Sequence, residues 1–88
     1  MTDPSKEKSI LEESRDIISQ LKEMEHYSTN NIEKLSEFWL VLDDKLDQKE
    51  FAGRMEKILS HQNAFHDEIS SLIADYEIEC NRIAQETE

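Results

Sequence analysis

Apolar residues spaced alternately four and three apart fix what this chain is able to fold into. Ile10, Ile17, Leu21, Met24, Leu35, Phe38 and Leu42 fall on the a and d positions of one unbroken heptad frame. A second frame carries Phe51, Met55, Ile58, Phe65, Ile69, Leu72, Tyr76 and Ile83 on the same positions. This spacing gathers apolar side chains on one face of an α-helix and does not fit the two-residue alternation of a strand. The 88 residues include one glycine, Gly53, and one proline, Pro4, so neither frame contains a strong breaker apart from the glycine of the second. The expected fold class is all-α.

The stretch between the frames decides whether they form one rod or two. In "LDQKEF", Asp47 is a good N-cap type, Glu50 stands at the third helical position of a capping box, and Leu46 and Phe51 hold the two positions of a hydrophobic staple. These signals belong to a helix start. They predict helix 1 over about 9–45, a turn over about 44–48 and helix 2 over about 48–86, in a single hairpin domain spanning 9–88 after a flexible N-terminus, 1–8. Asp3-Pro4 and Ser9-x-x-Glu12 offer two starts for helix 1. Two rods of about 38 residues, each roughly 57 Å long, match in length and favour an antiparallel, coiled-coil-like pair. Facing a against a and d against d sets Leu35 against Gln62, Leu21 against Tyr76, Ser28 against Ile69 and Ser14 against Ile83. "YSTNN", Tyr27 to Asn31, contains a second capping-box pattern, but the heptad phase passes through it unchanged, so helix 1 is expected to continue, straight or kinked.

Both frames are apolar beyond a and d. Leu11, Ile18, Ile32, Trp39 and Leu46 recur at position e of the first, and Ala52, Leu59, Ile73 and Cys80 at position e of the second. A stripe this wide is the face of a bundle helix; the seam of a two-stranded coil is narrower. The expected partner-binding surface is therefore Leu11, Ile18, Ile32, Trp39, Leu46, Leu59 and Ile73. Burying four such side chains is worth about 1.5–3 kcal/mol each, enough to drive two hairpins into a four-helix bundle. Asn31, Gln62 and His66 are polar residues expected in or beside the seam, where such groups lower stability but specify register or partner.

Nothing in the chain has the spacing of a catalytic or metal site. Glu23-x-x-His26 matches half of a di-iron bundle motif but falls on the outer c and f positions; His61 and His66, five apart, do not share a helical face. There is no phosphate-binding glycine loop and no aromatic-basic platform, and no cofactor is expected. The formal net charge of −11 opposes nucleic acid and anionic membranes. From Asp67 to Glu88 seven acidic residues accompany Arg82 alone, a net −6 that reads as a solvated face or as steering for a basic partner. A single cysteine, Cys80, and a start, "MTDPSKEKS", without an apolar core point to an intracellular setting, cytoplasm or nucleus. The function expected from these features is a non-enzymatic helical interaction subunit, self-associating or co-assembling with another helical protein as an architectural part of a larger complex. The alternative is a small acidic chaperone or inhibitor that shields an apolar helix or a basic surface of a client.

Overall fold

The computed structural model describes the backbone of residues 4–87 and the side chains of residues 10–86. It is a hairpin of two long helices, α1 (Pro4–Leu40) and α2 (Lys49–Thr87), joined by a single π-helical turn, Val41–Lys45. The rod measures 65 × 14 × 14 Å. α1 takes in residues 4–8, read from the sequence as a flexible start; the Asp3 cap lies outside the described residues. It also runs unbroken through Tyr27–Asn31. There Thr29 Oγ1 donates to the Glu25 carbonyl at 3.2 Å, an i−4 back-bond that satisfies the hydroxyl within the helix.

The fold-back lies where the capping signals placed it, but its residues take other roles. The widened turn closes through Leu46 N–H to the Val41 carbonyl at 2.9 Å and Gln48 N–H to the Leu42 carbonyl at 2.8 Å. Asp47 stands between them at φ 53°, in the left-handed region. An N-cap residue has extended backbone, so Asp47 ends the first helix instead of capping the second. Aspartate tolerates this conformation because its short carboxylate bonds locally. Leu46 and Phe51 are both half-exposed. Lys49 bridges the bend, its Nζ donating to the Asp43 carbonyl at 2.6 Å and lying 3.1 Å from the Asp43 carboxylate.

The helices meet along positions a and e. Leu11, Ile18, Ile69, Ile73 and Cys80 form one buried cluster, with Leu21, Tyr76, Ile83 and Ala84 packed against it. Ser14, Ser28 and Ala52 are also buried in the seam. Small side chains at these places let the two backbones approach closely, and the large d residues are left outside. The register differs accordingly from the a-to-a alignment. Gln62 Nε2 donates to Ser28 Oγ at 2.8 Å, and the Tyr76 hydroxyl donates to Ser14 Oγ at 2.9 Å, whereas that alignment sets Leu35 and Leu21 in those places. Polar groups therefore pair with each other inside the seam, which the alignment by hydrophobicity did not foresee.

Candidate interaction surface

Moving the seam to a and e leaves position d open. Ile10, Ile17, Met24 and Phe38 on α1, and Phe51, Ile58, Phe65 and Leu72 on α2, are each 43–51% exposed. The two stripes border one side of the hairpin and share grooves. Met24 lies beside Phe65 and Leu72 over a floor of Leu21 and Ile69, and Phe38 lies beside Ile58 over Leu35 and Gln62. Nearer the turn, Phe38, Val41, Leu42 and Met55 line a wholly apolar recess. One long face of the molecule is thus half-wet hydrocarbon, more than scattered surface apolar residues amount to.

The opposite side carries the polar contacts between the helices, although Leu40 and Ile78 are exposed away from the d stripe. A shallow cleft there is lined by Arg15, Ser19, Lys22, Glu77 and Asn81 above Ile18 and Cys80. Lys22 Nζ and Glu77 Oε1 form a 2.7 Å ion pair across the helices, and Ser70 Oγ donates to the Glu25 carboxylate. On the open side, at the distal end of the α2 d stripe, Arg82 hydrogen-bonds Glu79 and Glu86. This pairing holds the Glu79 carboxyl below the ordinary glutamate value and the guanidinium above its own, the Glu79 hydrogen bond acting first in both. Lys49 is raised as well, chiefly by its bond to Asp43.

The expected partner-binding residues divide. Leu11, Ile18 and Ile73 are buried in the hairpin's own seam; Ile32, Trp39 and Leu59 are half-buried; and Leu46, in the turn, is half-exposed. The e stripe is thus largely consumed inside the hairpin, because the helices rotate their smaller residues toward each other. Of the polar trio, Gln62 is in the seam and bonded to Ser28. His66 is half-buried with its Nδ1 enclosed and without a hydrogen-bond partner among the described residues. Asn31 is exposed on the open face between Met24 and Phe38. The small or polar residues Ser14 and Ser28 at a, with Gln62 and Tyr76 to bond them, were the signal that could have placed the open stripe on d.

Both Glu23 and His26 are exposed on the outer surface of α1. Among the described residues no group of three or more His, Cys, Asp or Glu side chains is placed to hold a metal ion. No helix among them is long and apolar enough to cross a membrane. Comparison with protein-family models, with curated proteins and with solved structures finds no match to this chain.

Proposed function

We propose that this chain is a non-enzymatic helical interaction subunit, which uses the open d face of its hairpin to complete a four-helix bundle within a larger intracellular complex. The observation that carries this reading is the alignment of the apolar residues on one face, interrupted by Asn31 on α1 and ending at Glu79 on α2. Eight large apolar side chains, each about half wet, lie along one side of the 65 Å rod, while the Lys22–Glu77 ion pair and the Ser70–Glu25 hydrogen bond cross the other. A hairpin built only to be stable has no use for such asymmetry. Completing their burial gains on the order of 1 kcal/mol per side chain, half of a full transfer, which is ample to hold a bundle together. The surface is elongated and lacks deep enclosure, so it suits helices and not a small substrate.

The test is the size of the native particle. In extract from its own cells, the tagged chain is expected to elute well above the mass of a lone hairpin. The variant with Ile58→Asp and Phe65→Asp, both on the open face, is expected to elute as a monomer with unchanged helicity. Elution of the unaltered chain as a lone hairpin would overturn the reading.

A further inference from the structure

The open face does not complement itself, and from the groups along it we infer that its occupant is a helix of a different protein, acidic beside the turn half of the hairpin and basic beside the distal half. The inference rests on the interaction-subunit reading and names the chemistry of its partner. On the face Met24 stands level with Leu72, and Phe38 with Ile58. A second copy laid with its turn at the same end therefore sets Ile17 on Glu79 and Asn31 on Phe65. With the turns opposed, pairing Ile58 with the second copy's Leu72 sets Phe51 on its Glu79. Slipping by one heptad sets Ile58 on Glu79 instead, or runs Ile17 past the end of the second copy's first helix. Each arrangement puts a carboxylate on hydrocarbon or leaves hydrocarbon bare, costs that a chain of different sequence avoids.

The charges that border the grooves fix what that chain carries. Lys34 lines the groove of Phe38 and Ile58, and the Arg54 guanidinium stands 6.0 Å from the centre of the Phe51 ring. Glu68 lines the groove of Met24 and Leu72, and Asp75 is exposed two turns further along the same side of α2. Among the described residues none of these four side chains is in an ion pair. Two free cations thus border the turn half of the face and two free carboxylates the distal half. The floor is apolar in both halves, so the occupant is amphipathic, with carboxylates beside Lys34 and Arg54 and cations beside Glu68 and Asp75. From Arg54 to Asp75 the rim rises about 32 Å, the length of a helix of about 22 residues. Acidic first and basic last is also the order that a helix dipole favours, which sets the N-terminus of the occupant at the turn. Asn31, exposed between the two halves, takes a polar residue at the middle of that helix.

The experiment titrates the purified full chain into fluorescently labelled helical peptides of about 22 residues, read by anisotropy at low salt. All the peptides carry leucine and isoleucine on one face and asparagine at the centre. They differ only at four rim positions, which are Glu in the first half and Lys in the second, Lys throughout, or Glu throughout. The split peptide is expected to bind about tenfold more tightly than either uniform one, because it alone meets attraction at all four pairs. In the variant with Lys34→Glu and Arg54→Glu, both at exposed positions, the preference is expected to pass to the all-Lys peptide with helicity unchanged. As a second measurement, the chain alone is expected to sediment as a monomer. Binding of no peptide, binding indifferent to the rim, tightest binding of a uniform peptide by the unaltered chain, or a dimer that the split peptide does not dissociate would each overturn this inference. All four outcomes leave the interaction-subunit reading to the extract experiment, where a partner of other chemistry then accounts for the particle.

Discussion

Adjacent isoleucines provide the sharpest test of the seam. Ile18 is 6% exposed and belongs to the buried cluster, whereas Ile17 is 48% exposed on the open face. Truncation of either to alanine removes the same three carbons, worth about 0.8 kcal/mol each on full burial. For Ile18 the whole transfer energy of about 2.4 kcal/mol is lost, and any void left between the helices adds to it. For Ile17 only about half is at stake, and alanine returns a few tenths of a kcal/mol through its better helix propensity, leaving a loss below about 1 kcal/mol. The difference, about 1.5 kcal/mol or more, is over tenfold in the folding equilibrium. The assay is urea unfolding followed by far-UV circular dichroism. Both truncations are made in the Ile58→Asp, Phe65→Asp background, so that assembly does not contribute. If Ile17→Ala proves as costly as Ile18→Ala there, the helices meet along a and d and the open face described above does not exist.

Two further substitutions probe the rest of the hairpin. Gly53 is exposed near the start of α2, and a Cβ added there meets nothing within 4 Å, so Gly53→Ala is expected to stabilise the hairpin by about 1 kcal/mol, seen as a higher urea midpoint with an unchanged slope. In the seam, Ser28 is 2% exposed and its hydroxyl is held by Gln62, so Gln62→Ala is expected to cost about 1–3 kcal/mol, whereas Ser28→Ala with Gln62→Leu recovers most of it. Equal losses in the single and double variants, measured by thermal unfolding, would show that the pair is not a unit.

The heptad phase determined that this chain is two long helices, and the capping-type residues between its two frames placed the fold-back near residue 46. Each helix has to hide an apolar stripe, and the capping-type residues cluster at one place between the stripes. The unbroken course of α1 through Ser28 to Asn31 was equally legible, since the phase does not slip there. The detailed chemistry of the bend was not. Asp47 has the composition of a cap and the backbone of a helix end, and local sequence does not separate those roles when a π-turn intervenes.

Only the tertiary structure decided which half of the apolar stripe is spent inside the hairpin. Positions d, a and e together span more of each helix than one neighbour covers, and hydrophobicity treats d and e alike. Side-chain volume and polar pairing break the tie. Ser14, Ser28, Ala52 and Cys80 permit close approach, Tyr76 and Gln62 satisfy the serines, and Lys22 with Glu77 fastens the far edge. These are relations between residues tens of positions apart in the chain, brought together only once the two helices lie against each other. That choice buries Ile18 and leaves Ile17, its neighbour in sequence, at the surface.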